Sequence, residues 1–186
     1  EIASCLVGSE MCIRDRYIIN QFLPIEKQAI KAGVKIGNGN LFGSKFWSTE
    51  PYLITIGNNC QITNGVKIFT HGGAHILRNT DPDFDIFGKV IIKDWVYIGN
   101  NSLIMPGVTI ENNSLIAAGS VVTKSVPPRV VVGGNPAKII CSVEEYYIKN
   151  KKYNIRTKRM NHTKKKETLM SLSDVFLLKK EYLKYE

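Results

Sequence analysis

The chain has 186 residues, of which 44% are hydrophobic, and a formal net charge of +9. This length favours one domain with a sizeable core, and no apolar run approaches the roughly 20 residues that cross a bilayer, so two ordinary domains and membrane insertion are not expected. Four scattered cysteines form neither a CxxC pair nor a dense disulfide framework, which favours reduced thiols and a cytoplasmic location.

The excess positive charge is mostly a property of the C-terminal part. Residues 141–186 contain 12 Lys+Arg and 6 Asp+Glu, which is +6 of the +9. A solvated basic extension is therefore the favoured interpretation, and a nucleic-acid partner is not expected.

The first part of the chain divides into two segments. Residues 1–16 show neither helical nor strand periodicity, and we interpret them as a non-native leader outside the fold. Residues 17–33 carry apolar side chains at helical spacings and end at Gly33, which predicts an N-terminal helical cap. We expect residues 34–140 to form the main domain and residues 141–186 a C-terminal extension that is helical or partly disordered.

Aliphatic residues recur at a spacing of six, or at a multiple of six across one gap. A period of six fits neither a helix nor plain strand alternation, but it fits short strands joined by tight corners, with three strands in a triangular coil of about 18 residues. The chain therefore predicts an all-β fold, a parallel β-helix of hexapeptide repeats. A β-sandwich is disfavoured because long alternating runs are missing. The repeated positions are Ile56, Ile62, Ile68, Ile92, Ile98, Ile104, Ile110, Ile116 and Val122.

The repeat stops between Phe69 and Val90, although Ile68 and Ile92 keep the register at 24 residues. This predicts an excursion loop. The loop contains two of the three histidines, an arginine and three aspartates. Long loops on rigid scaffolds commonly carry functional residues, so we expect the chemistry here.

Several motifs resemble those of the hexapeptide-repeat acyltransferases, in particular the maltose and galactoside acetyltransferase group and the xenobiotic acetyltransferases. The motifs are Ile98–Asn101, Met105–Ile110, Ile116–Lys124, Val126–Pro128 and Gly133–Lys138. The resemblance covers roughly residues 34–140. It implies a left-handed β-helix, a homotrimer, and transfer of an acetyl group from acetyl-coenzyme A. The handedness comes from the family, since parallel crossovers usually run right-handed.

The resemblance also implies where the cosubstrate binds. Acetyl-coenzyme A would lie in a groove between neighbouring subunits, with small residues leaving backbone groups for the pantetheine arm and lysines neutralising phosphates. Cys141 stands where the family often has an arginine. No metal is expected. The implied cofactor contacts are Tyr97, Gly99, Asn100, Ala118, Thr123, Lys124 and Lys138.

The family reaction implies a histidine general base that acts without an acyl-enzyme intermediate, and an unperturbed imidazole titrates close to working pH. His71 follows Thr70 as in many sugar-modifying relatives, whereas His75 has the spacing of the xenobiotic group. We favour His71, because the following loop residues resemble the sugar-type loop. Candidate acceptor contacts are Arg78, Asp83 and Asp85, with turn and salt-bridge chemistry within the loop as the alternative.

The favoured function is an O-acetyltransferase acting on a sugar or glycan precursor, with a xenobiotic (antibiotic) acetyltransferase as the alternative. Two interpretations from other classes remain open. A zinc-dependent hydrase needs three histidine ligands, and His162 lies far along the chain from the loop histidines. A catalytically inactive scaffold is disfavoured by Lys124, by residues 135–138 and by the loop histidines.

Overall fold

The computed structural model describes residues 22–182. The predicted leader, residues 1–16, and the first part of the predicted cap lie outside these residues. The described part of the cap contains helix α1, Ile25–Ala32, which follows Pro24. The helix ends at Gly33, whose φ of 112° suits a residue without a side chain and whose N–H donates to the carbonyls of Ala29 and Ile30.

Short strands make up most of the chain that follows. In the described residues they are β1 Lys35–Ile36, β2 Leu41–Phe42, β3 Ile54–Ile56, β4 Gln61–Ile62, β5 Lys67–Ile68, β6 Val90–Ile92, β7 Tyr97–Ile98, β8 Leu103–Ile104, β9 Thr109–Ile110, β10 Leu115–Ile116, β11 Val121–Val122, β12 Val130–Gly134 and β13 Ala137–Ser142.

Consecutive strands lie in different sheets, so the chain winds around a common axis. Within residues 22–182 the sheet orders are β1-β3-β6-β9, β2-β4-β7-β10-β12-β13 and β5-β8-β11. All pairs are parallel except β12 with β13, and the registers align the period of six, for example Ile62 with Ile98 and Ile98 with Ile116. This is the parallel β-helix that the repeat predicts.

The aliphatic series forms the core. Its nine side chains, named above, are each at most 1% exposed, since every repeat turns one of them inward. Outside the excursion loop, the residue four positions after each repeated aliphatic is also buried. Where this residue is serine, its hydroxyl donates a hydrogen bond to a backbone carbonyl at the corner. Ser102 donates to Gly99 O at 2.8 Å, and Ser120 donates to Ala117 O at 2.6 Å. Their burial therefore leaves no unpaired hydroxyl.

The corners need a backbone conformation that most residues avoid. Asn59, Asn101 and Asn113 have φ between 56° and 59°, and asparagine tolerates this region. Trp95 occupies the same kind of corner with φ 58°, and its indole is 63% exposed. Trp95 N–H donates to Asn58 O, as Asn113 N–H donates to Asp94 O one coil later, so these corners are stacked equivalents.

An antiparallel hairpin follows the last parallel strand. β12 pairs in parallel with β10 on one side and antiparallel with β13 on the other. The period of six does not predict this hairpin, because β13 reverses direction.

The described chain divides into two compact units after Val143. The second unit contains most of helix α2, Val143–Lys151, then helix α3, His162–Ser171, and a 3₁₀ turn at Asp174–Phe176. None of the α2 or α3 side chains is buried, as expected for a solvated basic segment. Among the described residues there is no helix with the length and apolar character needed to traverse a bilayer.

Candidate active site

The excursion loop is closed at its base by pairing between its own two ends. Gly88 N–H donates to Thr70 O at 2.7 Å, and His71 forms an antiparallel bridge with Phe87. The rings of His71 and Phe87 lie 6.0 Å apart between centroids. His71 is therefore held where the chain leaves the β-helix.

A carboxylate one coil earlier pairs with His71. Glu50 Oε2 lies 2.7 Å from His71 Nδ1, and the imidazole is 41% exposed whereas the carboxyl side chain is 16% exposed. Thr70 Oγ1 donates to Glu50 Oε2 at 2.7 Å, and Thr49 Oγ1 donates to Glu50 Oε1 at 2.7 Å. These hydrogen bonds, from Thr70 first, then Thr49 and His71, lower the pKa of Glu50 to about 2.

This pairing fixes the role of each imidazole nitrogen. An ionised carboxylate can only accept hydrogen bonds, so Nδ1 of His71 must donate to Glu50. In the neutral ring Nε2 then carries the free lone pair, and the partial exposure of the ring leaves it accessible. The arrangement can remove a proton from a group bound beside Nε2.

Glu50 was not among the site residues predicted from the sequence. It precedes the first regular repeat, and 21 positions separate it from His71. A usable signal was available, because a separation of about one coil stacks two positions at the same edge of a β-helix. An acidic residue roughly one coil before a loop histidine is therefore the pattern to seek.

His75 lies in a different environment. It belongs to the 3₁₀ helix Ala74–Asn79 and is exposed. The imidazole of His75 forms no hydrogen bond or ion pair with any residue from 22 to 182. The structure thus brings Glu50 to His71 and not to His75.

The predicted acceptor contacts serve partly to shape the loop. Arg78 Nε donates to Phe84 O at 3.0 Å, and its guanidinium lies 3.6 Å from Asp85 Oδ1. Asp85 also accepts from Ile86 N–H. Asp83 is exposed. An exposed ion pair of this kind contributes about 0–1 kcal/mol, so Arg78 and Asp85 retain freedom to contact a ligand.

The predicted cofactor residues lie along the last coils. Asn100 and Ala118 occupy stacked corners that lead into β8 and β11, since Gly119 N–H donates to Asn100 O. Gly99 is required here, because a Cβ would lie 2.5 Å from Ala118 N. Thr123 and Lys124 follow β11 at its other end, Tyr97 lies on β7 and Lys138 on β13.

Known proteins share this architecture and much of the sequence. The family described as bacterial transferase hexapeptide (six repeats) matches residues 89–124. Protein CapG of Staphylococcus aureus is 49% identical over 150 residues, which are 78% of this chain and 87% of CapG. The galactoside O-acetyltransferase of Escherichia coli (strain K12) is 37% identical over 128 residues, 64% of this chain and 62% of that protein.

Two solved structures are similar in fold and sequence. A galactoside acetyltransferase in complex with coenzyme A has a TM-score of 0.54 and 26% identity, covering 71% of this chain and 78% of that one. A hexapeptide-repeat-containing acetyltransferase of Vibrio cholerae O1 biovar eltor, complexed with acetyl-coenzyme A, has a TM-score of 0.52 and 28% identity, covering 68% and 82%.

A parallel β-helix of six-residue repeats is the scaffold that this chain shares with solved acetyltransferases. The chain belongs to the hexapeptide-repeat acetyltransferase superfamily, as its sequence motifs predict. The neighbours imply that its β-helix is left-handed. These relatives support an acyltransferase rather than an inactive scaffold or a zinc-dependent hydrase.

Proposed function

We propose that the chain is an O-acetyltransferase that acts on a sugar or glycan precursor, with His71 as general base. The observation that carries this proposal is the 2.7 Å pair between Glu50 and His71 at the base of the loop. The similarity of the chain to a galactoside O-acetyltransferase supports a sugar acceptor. His75, the candidate base of the antibiotic alternative, gains no support from its surroundings.

The acyl donor is acetyl-coenzyme A, which supplies an acetyl thioester. Its proposed contacts fit the corners around β11. Ala118 has a small side chain, and a Cβ built on Gly119 beside it has no heavy atom of the described chain within 4 Å. This open, flat surface suits a pantetheine arm, and Lys124 is positioned to neutralise a phosphate. Tyr97, Gly99, Asn100, Thr123 and Lys138 complete the proposed donor site.

His71 would move one proton twice. Nε2 takes the proton of the acceptor hydroxyl while that oxygen forms a bond to the thioester carbonyl carbon. The carbon–sulfur bond then breaks, and the imidazolium returns its proton to the departing sulfur. The products are an acetyl ester and a free thiol. Glu50 holds the ring orientation throughout and stabilises the transient imidazolium.

We also propose a homotrimer. A short solenoid leaves flat faces exposed, and two adjacent isoleucines of β13, Ile139 and Ile140, are 60% and 62% exposed. Light scattering at micromolar concentration should give three times the chain mass, and a monomer would contradict the proposal.

The direct test is acetyl transfer by the full chain. Thiol release from acetyl-coenzyme A is measured against free sugars, sugar phosphates, nucleotide sugars and antibiotics, and the product is identified by mass spectrometry. An acetyl ester on a saccharide is expected. Acetylation of antibiotics alone would contradict a sugar acceptor.

A further inference from the structure

A groove of about 460 Å³ lies in the same part of the β-helix as the Glu50–His71 pair. Its lining includes Lys45 and Phe46 from one segment and Asn64, Gly65 and Lys67 from the next coil. The proposed donor and base do not use these residues.

The groove and His71 are joined by two segments that run side by side, residues 44–50 and 66–71. Ser44 Oγ donates to Val66 O, and Phe46 forms a parallel bridge with Lys67. Thr70 Oγ1 lies 2.9 Å from Ser48 Oγ. Four positions separate Lys67 from His71, so their Cα atoms lie at most roughly 14 Å apart. One ligand of modest size can therefore contact both.

The groove is also aligned with the proposed donor site. Asn101 N–H donates to Asn64 O, and Gly119 N–H donates to Asn100 O, so the groove corner stacks beneath the corners that hold Asn100 and Ala118. A donor along the later coils and an acceptor in the earlier groove would occupy neighbouring stretches of one edge. Each would keep its own binding residues.

The charge of the groove is one-sided. Its lining contains two lysines and no acidic residue. Both lysines are exposed, and neither forms a salt bridge within the described chain. Lys67 Nζ lies 5.8 Å from the centre of the Phe46 ring, which is itself 41% exposed. The Phe46 ring also contacts Phe69, with centroids 5.3 Å apart, and part of it is exposed. Two ammonium groups outside any salt bridge, beside a partly exposed aromatic ring, suit a phosphate attached to a planar or apolar group.

We infer that the groove binds an acceptor whose sugar carries a phosphate or diphosphate. Lys45 and Lys67 contact the anion, Phe46 packs against the group beyond it, and the sugar hydroxyl reaches Nε2 of His71. This inference rests on the proposed function, because it places the acceptor next to the proposed base. It narrows the acceptor from any saccharide to a phosphorylated one.

The test is calorimetric binding to the full chain saturated with coenzyme A, which blocks the donor site and prevents turnover. The probes are UDP-N-acetylglucosamine, UDP, N-acetylglucosamine 1-phosphate and the neutral methyl N-acetylglucosaminide. At least one phosphate-bearing probe should bind about 10-fold or more tightly than the neutral glycoside. Which of them binds identifies the carrier: a nucleoside diphosphate or a simple sugar phosphate.

Matched variants locate the site. Lys45→Gln and Lys67→Gln should each weaken binding of the phosphate-bearing probe by about 10-fold. Lys93→Gln, which changes an exposed lysine outside the groove, should leave it unchanged, and all three variants should keep the parental unfolding temperature. Three results would each overturn the inference. The first is binding of the neutral glycoside as tight as that of the phosphate-bearing probes, the second is no binding of any probe to the chain saturated with coenzyme A, and the third is binding that is insensitive to both groove lysines.

This readout is independent of catalysis. If the probes bind through Lys45 and Lys67 but no acetyl group is transferred, the proposed function fails and the groove assignment stands. If transfer to neutral sugars is efficient and the lysine variants behave as the parent, the proposed function stands and the groove assignment fails.

Discussion

Apolar side chains are buried in one region of the molecule and exposed in another. The first region is the coil stack, residues 54–68 and 90–132, and the second is the excursion loop, residues 69–89. In the stack the nine repeated aliphatic side chains are each at most 1% exposed, and each coil hydrogen-bonds to the next. In residues 71–89 Ala74 alone is buried, and large apolar side chains such as Ile76 and Phe87 are exposed. The buried core is therefore concentrated in the stack and the proposed base lies in the loop, so substitutions in the two regions should separate effects on stability from effects on catalysis.

The largest effect should follow from removing the proposed base. His71→Ala should lower kcat by about 10²- to 10⁴-fold, the range for losing a general base, because an acceptor hydroxyl is a poor nucleophile while protonated. Binding of acetyl-coenzyme A and the unfolding midpoint should be retained. The control is His75→Ala, which should cost less, and a reversed order would assign the base to His75.

Removing a core side chain should have the opposite profile. Ile98→Ala should lower the free energy of unfolding by about 2–5 kcal/mol, since Ile98 is fully buried and stacked between Ile62 and Ile116. Denaturant titration at fixed protein concentration measures this. The outward-facing control Thr55→Ala should change it by less than about 0.5 kcal/mol. Similar losses for both would contradict the assigned core.

Glu50→Gln tests whether a residue outside the loop acts on catalysis through the loop residue His71. An amide can donate to Nδ1 and so stabilise the wrong tautomer, and kcat should fall roughly 10- to 10²-fold with an unchanged KM for acetyl-coenzyme A. Because the pKa of Glu50 is lowered to about 2, its carboxylate stays ionised until the pH falls towards that value, and an activity loss between pH 5 and 8 does not arise from its protonation. The matched control is Glu167→Gln, which changes an exposed carboxylate on α3 and should keep the parental kcat. Equal kcat values for Glu50→Gln and the parent would remove Glu50 from the mechanism.

Lys124→Ala should act on binding alone. A phosphate contact remote from the thioester stabilises ground and transition states equally, so KM for acetyl-coenzyme A should rise about 5- to 10-fold with little change in kcat. Steady-state kinetics with varied donor measures this, with Lys93→Ala as the matched control. An unchanged KM would exclude Lys124 from the donor site.

The smallest effect concerns a corner of the stack itself. Trp95→Asn should raise the free energy of unfolding by about 0.5–1 kcal/mol, because asparagine adopts the positive φ of this corner at lower cost than tryptophan. The reciprocal Asn113→Trp should lower it. A large destabilisation by Trp95→Asn would mean that the indole makes a contact beyond the single chain.

The core was predictable from sequence because each repeat contributes one inward side chain at a fixed spacing, so Ile56 through Val122 could be placed without knowing any contact. The antiparallel strand β13 could not, because a chain reversal has no period. The role of Glu50 was hidden for a related reason: it lies before the regular repeats, and its three hydrogen-bonding partners come together only when two coils stack. The pairing of Arg78 with Asp85 likewise depends on the loop conformation, which no repeat constrains.

The strands that flank the excursion loop do not pair with each other. β5 pairs with β8, with two other strands between them in the chain, and β6 pairs with β3 and β9, so Ile68 and Ile92 are each held by neighbours outside the loop. Insertions, deletions or replacement of the segment between β5 and β6 leave every strand pair of the β-helix in place. Changes in the length or sequence of the segment between His71 and Phe87 can therefore alter the surroundings of His71 while the strand pairing of the scaffold is kept.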